Sequence, residues 1–385
     1  MTPTFRETAR VSPLELFFDL VFVLALTQCT ALMADEPTWE GLAKALLVLT
    51  LLWWSWSGYA WLTSVLDPEE GAVRIVIFAA MAAFLVVALC VPEAFDSSAA
   101  LFAAGYGVVR AAHIGLFVLA SREDPQLRSS VISLGISTAV SVGLLVLASF
   151  LDGTAQGVVW GVAIALDLGG PYFFGVEGWR LVPAHFAERF GLIVIIALGE
   201  SIVAIGAGVE GSVDAGVVAA AVLGTVVAAA LWWLYFDVVA LVAERRLSNA
   251  EPGREQNAIG RDSYGYLHLP MVAGIVLIAL GMKKTLGDVG EPLKDVPAAA
   301  MLGGASMYLL AHVAFRWRNI HTLNRQRLVV GIALLALIPL AVEIPALLTL
   351  GVLSAILAAL IAYEALRFAE ARARLRYRLL HDVHD

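Results

Sequence analysis

The sequence predicts an all-α, polytopic transmembrane helix bundle of about twelve spans arranged as two parallel six-helix repeats. Three observations carry that prediction. Of 385 residues, 60% are hydrophobic and only 15% charged, and a mean hydropathy of +0.83 belongs to a chain solvated by lipid. Apolar runs recur at roughly 20 residues, the length that crosses a hydrocarbon core at about 1.5 Å per residue. Short motifs return in the same order in the two halves of the chain. Because the runs are continuous and lack period-two alternation, they predict helices and not a barrel.

The expected spans are 14–34, 39–63, 72–92, 97–119, 128–150 and 156–176 in the first half, and 187–208, 213–241, 264–282, 297–315, 328–346 and 347–366 in the second. The division of 328–366 is the loosest, since Pro339 and Pro345 can kink or end a helix. This gives three parts: a first half over 1–178, a second over 179–366, and a basic tail over 367–385.

The net charge of −8 conceals an asymmetry. All Lys and Arg except Lys44, Lys283, Lys284, Lys294 and the intramembrane Arg110 fall at the N-terminus, in alternate loops or in the tail. Cationic loops stay cytoplasmic, so both termini are expected inside, with an even number of crossings. The loop over 282–297 mixes its three Lys with Asp288, Glu291 and Asp295. Arg6 and Arg10 before an apolar run resemble a signal peptide, but Glu15, Asp19 and the lack of a small-x-small cleavage site make that run the first span. Cys29 and Cys90 are expected near the outer helix ends, as two small buried residues or as a disulfide.

The repeat rests on Glu15-Leu16-Phe17 against Glu188-Arg189-Phe190, Trp53-Trp54 against Trp232-Trp233, and Ala112-His113 against Ala311-His312. Register slips between the second and third matches because a longer polar loop, Glu244 to Asp262, stands opposite Asp67-Pro68-Glu69-Glu70; insertions belong in loops. With six helices each, both halves enter the membrane in the same sense, an architecture that in transporters places substrate near the midplane between halves.

An ionisable residue within a span costs about 2.5–3.5 kcal/mol on insertion scales and is a functional candidate by default. The leading substrate- or ion-binding candidates are Asp19, Glu200, Arg110, His113, Glu188, Glu15, His312 and His268, with Asp167, Asp237 and Glu343 also inside spans. Ser12-Pro13-Leu14-Glu15 reads as a capping box, which gives Glu15 a structural role. Asp19, one turn deeper, is too far in to cap, and its depth permits pairing with Arg110 or His113 of the fourth span, where Tyr106, Arg110, His113 and Phe117 form one stripe. His185, Glu188 and Arg189 have the spacing of local side-chain pairs at a helix entrance. Trp53, Trp54, Trp56, Tyr59 and Trp61, like Trp232, Trp233 and Tyr235, read as an interfacial aromatic belt or an aromatic-lined pocket. Gly157 and Gly161 permit close helix packing, and Gly169-Gly170-Pro171 is placed to break the sixth helix near Asp167.

No paired-Cys or His-Glu-x-x-His pattern accompanies His113 and His312, so neither cofactor nor metal is expected and no catalytic residue is assigned. The tail from Arg367 to Arg378 suits anionic lipid and calls for no nucleic-acid partner.

Leu14 to Val23, His185-Phe186-Ala187-Glu188-Arg189-Phe190-Gly191, Leu198-Gly199-Glu200-Ser201, the Trp-Trp helix ends and Tyr266-Leu267-His268-Leu269-Pro270 together resemble the bacterial low temperature requirement A family. The resemblance spans nearly the whole chain. It implies a multispan protein of the bacterial cytoplasmic membrane related to growth in the cold, with Glu15, Asp19, His185, Glu188, Arg189, Glu200 and His268 as motif positions to which no role is attached. Parallel repeats and intramembrane carboxylates favour a secondary transporter or permease for a small solute or ion. An ion channel, or an intramembrane enzyme or lipid-acting factor, is the alternative. The missing nucleophile and metal motifs argue against the enzyme.

Overall fold

The structure, a computed structural model, describes residues 10–173, 178–209 and 211–370. Among these residues there are helices and no strands. Ten helical segments are long and apolar enough to cross a membrane, and the molecule is a polytopic helix bundle. Its residues divide into two compact units. One draws on Met1–Arg189 and Ala250–Gly265, the other on Phe190–Asn249 and Tyr266–Asp385.

The first unit contains α1 (Pro13–Asp35), α2 (Trp39–Val65), α3 (Gly71–Cys90), α4 (Ala99–Ala120), α5 (Pro125–Ala148), α6 (Gly153–Phe173), the opening of α7 (Pro183–Ala207) and the short α10 (Arg254–Ile259). The helix starts follow their caps. Ser12 and Glu15 form the reciprocal capping box of α1, with Pro13 in its first turn. Thr38 caps α2 through the Gly41 N–H, and Asp124 caps α5 through Gln126 and Leu127.

Within this unit α2 packs on α1, α4 and α6, so its most apolar stretch is 72% buried, against 39% for α5. Trp53, Trp56 and Tyr59 consequently lie in the protein interior, and Trp54 is nearly as buried. That corrects the aromatic-belt expectation for this helix. Its rings are held by directed bonds: Trp53 Nε1–H donates to the Gly265 carbonyl (2.8 Å) and Tyr59 O–H to the Val109 carbonyl (2.9 Å). The peripheral helices instead show Ile75, Leu89, Ile136, Val140 and Leu147 on their outer faces, the apolar surface a bilayer solvates.

The second unit contains the remainder of α7, then α8 (Ala215–Phe236), α9 (Val239–Ser248), α11 (His268–Gly287), α12 (Asp295–Ile320), α13 (Arg325–Ala336), α14 (Ile338–Ala341) and α15 (Ala346–Arg367). Here α11 and α12 pack together through Gly274 and Gly304: a Cβ on either would come within 2.6 Å of the other's carbonyl oxygen. Trp232 and Trp233 are 46% and 41% exposed while Tyr235 is buried, so the belt expectation suits this helix better than α2.

Two expected spans take a different form. Segment 156–176 is the 21-residue α6, which runs through Gly169 and Gly170 to Phe173 with Pro171 inside it, so the helix is not broken at Gly169-Gly170-Pro171 beyond Asp167. Segment 328–346 is α13 followed by the four-residue α14, the chain turning at Leu337 just before Pro339. The polar stretch from Glu244 to Asp262 is largely helical, forming the end of α9, all of α10 and the start of a π-helical turn over Gly260–Tyr266. Cys29 and Cys90 are buried, and no disulfide joins them. Helix α15 ends at Arg367, 369–370 are again helical, and 371–385 lies outside the described residues.

Gly304→Ala is expected to lower stability by about 1–3 kcal/mol through overpacking. Gly303→Ala, where a Cβ meets nothing within 4 Å, leaves it nearly unchanged. Thermal unfolding of both variants in detergent measures the difference.

Candidate functional site

Two polar clusters lie inside the first unit. The first begins on α1, whose 3.6-residue repeat places Glu15 and Asp19 on one face a turn apart. Both are buried, at 2% and 0% exposure. Glu15 divides its carboxylate between two tasks: Oε2 accepts the Ser12 N–H (2.8 Å) as part of the cap, and Oε1 lies 2.9 Å from His185 Nε2. Asp19 accepts Arg189 Nη1–H on Oδ2 and Trp56 Nε1–H on Oδ1, each at 2.8 Å. Arg189 Nε sits 3.9 Å from Glu15 Oε1, and its guanidinium lies over the Trp56 ring, 5.5 Å from the centroid. The capping role expected for Glu15 holds, with an ion-pair role added to it.

Asp19 is therefore paired with Arg189, not with Arg110 or His113. Helix depth left the choice of partner open, and the partner comes from α7, one turn beyond His185 on the same helix face. For the same reason His185, Glu188 and Arg189 are not a local network. His185 and Arg189 reach α1, while the exposed Glu188 accepts the Val11 N–H at 3.2 Å. Sequence reasoning weighed neither Trp56 nor Arg189 as a partner of Asp19.

The second cluster is built on the stripe of α4. Arg110, 1% exposed, donates from Nη2 to Asp167 Oδ1 (3.0 Å) and Thr138 Oγ1 (2.9 Å). Thr138 donates onward to Asp167 Oδ1 (2.9 Å), and Tyr106 O–H donates to Asp167 Oδ2 (2.9 Å). Asp167 is thus met by three donors from α4 and α5, which satisfies a carboxylate at hydrophobic depth. His113, one turn along from Arg110, is 2% exposed and packs on the Tyr59 and Phe117 rings. The Gly58 backbone lies beside it without completing a hydrogen bond of normal geometry to either ring nitrogen.

In the second unit Glu200 is buried on α7. His268 Nε2 pairs with Tyr235 O–H at 2.8 Å, and its ring is enclosed by Phe190 and Phe315. Because a carbonyl can only accept, His312 donates from Nδ1 to the Tyr308 carbonyl (2.9 Å), leaving Nε2 as a buried acceptor without a partner. His312 lines a cavity of about 410 Å³ with Trp233, Asp237, Arg316, Arg327 and Glu364. Arg327 grips Glu364 bidentately, Nε to Oε1 at 3.0 Å and Nη2 to Oε2 at 2.8 Å. Glu343 is exposed. Among the described residues, no three His, Cys, Asp or Glu side chains converge as a metal would require.

Removing one partner of a buried ion pair leaves an uncompensated charge, so Asp19→Asn and Arg189→Gln are each expected to cost about 3–5 kcal/mol. The double variant should cost less than their sum, whereas Asp19→Asn with Arg110→Gln should add to within about 0.5 kcal/mol. Chemical denaturation in micelles of the three single variants, Asp19→Asn, Arg189→Gln and Arg110→Gln, and of the two doubles distinguishes these outcomes.

The family described as bacterial low temperature requirement A protein matches residues 10–362. An uncharacterised protein of Rhizobium meliloti (strain 1021) is 31% identical over 310 residues, covering 77% of this chain and 74% of the relative. No solved structure matches. A match across nearly the whole length, on a chain whose described residues include ten helical segments long and apolar enough to cross a membrane, makes this a multi-pass membrane protein that belongs to the bacterial low temperature requirement A family.

Proposed function

We propose that the protein is a secondary transporter of the bacterial cytoplasmic membrane, with both termini inside, in which Glu15, Asp19, His185 and Arg189 form the proton-binding site. The observation that carries this reading is a count of charge. Two buried carboxylates face one guanidinium that stays protonated at any accessible pH, together with one imidazole. Summed over these four side chains, the charge is zero when one further proton resides on the Glu15–His185 pair and −1 when that proton leaves.

In a low-dielectric interior those two states differ by a large electrostatic energy. A proton that decides the net charge of a buried site is what a proton-linked carrier exchanges in its cycle. The alternation of the two states is supported by the geometry of the pair, whose 2.9 Å contact between His185 Nε2 and Glu15 Oε1 gives the proton a short path between two acceptors. The two similar halves suggested by the repeated motifs supply an architecture on which a carrier can be built. Trp56 belongs to the same site as a positioning residue, since its N–H fixes the second oxygen of Asp19.

Proteoliposomes loaded with a pH-sensitive dye test the proposal. Addition of a transported solute is expected to acidify or alkalinise the lumen in a saturable manner, and His185→Gln and Asp19→Asn should each reduce the initial rate at least tenfold. Arg189→Lys, which keeps the charge and loses the fork, should retain part of it. Non-saturating conductance indifferent to these substitutions would instead identify a channel and overturn the carrier.

A further inference from the structure

A second, smaller cavity lies within the first unit, bounded by Trp54, Trp61 and Trp179, with Ser57, Arg110, His113 and Arg261 contributing polar side chains. Its volume is about 60 Å³. At about 10–15 Å³ for each water-sized position, that is room for roughly four to six non-hydrogen atoms.

Three features of its lining point to a ligand. First, two nearly inaccessible side chains bring unused hydrogen-bonding atoms to it. Arg110 Nε–H has no acceptor, since that residue spends Nη2 on Asp167 and Thr138, and neither ring nitrogen of His113 has a partner of normal geometry. Burying such groups unsatisfied costs about 1–3 kcal/mol each, more for a charged group. Second, Gly58 of α2 holds the space open: a methyl there would approach His113 Cε1 and Nε2 to 3.0 Å and Arg110 Nη1 to 3.1 Å. Third, Arg261 and Gly265 reach the cavity from the π-helical turn Gly260–Tyr266, an irregularity concentrated at functional sites.

The unused donors of the lining decide the ligand's sign. Two guanidinium groups and an imidazole face the cavity, and the carboxylates that balance the guanidinium groups, Asp167 and Asp262, lie outside its lining. Indole walls alone would suit an organic cation, but the atoms left unsatisfied include the Arg110 Nε–H and the His113 ring N–H, which call for an acceptor. Around the nitrogens the walls are carbon, which a simple halide would not use. We infer that this cavity binds a small monocarboxylate, its oxygens accepting hydrogen bonds from Arg110 and His113 and its short apolar body lying against Trp54, Trp61 and Trp179.

The carboxylate site and the proton site share a helix. Trp56 of α2 donates to Asp19, and Trp54, Ser57 and Gly58 of the same helix line the cavity. Taking this anion as the transported solute rests on the carrier reading; one proton entering with one monocarboxylate would make the cycle electroneutral. Binding of the anion does not depend on that reading.

The test uses the full-length chain in detergent micelles, titrated with sodium propionate and followed by intrinsic tryptophan fluorescence and by calorimetry. The expected result is saturable binding that sodium chloride and tetramethylammonium chloride do not reproduce. Gly58→Ala should raise Kd at least tenfold with helicity and Tm near wild type, and His113→Phe, which preserves bulk, should do the same. Trp232→Ala, on an exposed ring outside the cavity, should bind as wild type does. Absent or non-saturable propionate binding, equal competition by chloride, or unchanged affinity in a folded Gly58→Ala or His113→Phe would each overturn the monocarboxylate site. None of these results would alter proton movement lost through His185→Gln, so failure of this inference is distinguishable from failure of the carrier.

Discussion

A carboxylate or guanidinium at hydrophobic depth must find its counter-charge and its hydrogen bonds within the protein, because acyl chains offer neither. The interior of the first unit is arranged around that requirement. Asp19 is held by Arg189 and Trp56, and Asp167 by Arg110, Thr138 and Tyr106. The first cluster ties α1 and α2 to the distant α7 and the second ties the consecutive α4, α5 and α6, so the same contacts that make the charges tolerable also fix which helix lies beside which. Buried ion pairs add little net stability compared with well-packed apolar residues, but they penalise wrong pairings heavily. The clusters are therefore determinants of arrangement as much as chemistry.

The helical, membrane-embedded character of the chain was fully legible, because composition and run length report the solvent directly. So was the start of α1: Ser12, Pro13 and Glu15 are neighbours in sequence, and capping is a local interaction. Burial of Asp19, Arg110, His113, Glu200, His268 and His312 also followed from position within apolar runs. The partners did not. Arg189 stands at a helix entrance where a cation is ordinarily explained by the lipid boundary, and nothing in its spacing points toward a residue 170 positions away. Thr138 and Trp56 carry no charge and leave no mark in a search for ionisable residues.

Tryptophan shows the limit most clearly. Trp53-Trp54 and Trp232-Trp233 are the same dipeptide near the ends of two apolar helices, yet the first pair is buried and the second substantially exposed. An indole suits either setting, since its N–H can be met by headgroups or by a carbonyl such as that of Gly265. What separates the two pairs is whether other helices surround them, a property of packing that residue identity does not encode. Pro171 and Pro339 make the same point about the backbone: one is accommodated inside α6, while the chain turns beside the other.

The reciprocal contact of Gly274 and Gly304 has a mechanical consequence. Backbone pressed against backbone has no rotamers to yield, so α11 and α12 cannot slip along one another without first separating. In any rearrangement of the second unit they travel as a single stiff strut. His268 at the head of α11 and His312 on α12 are thereby carried on one frame, and the freedom to flex is left to segments joined by longer side chains.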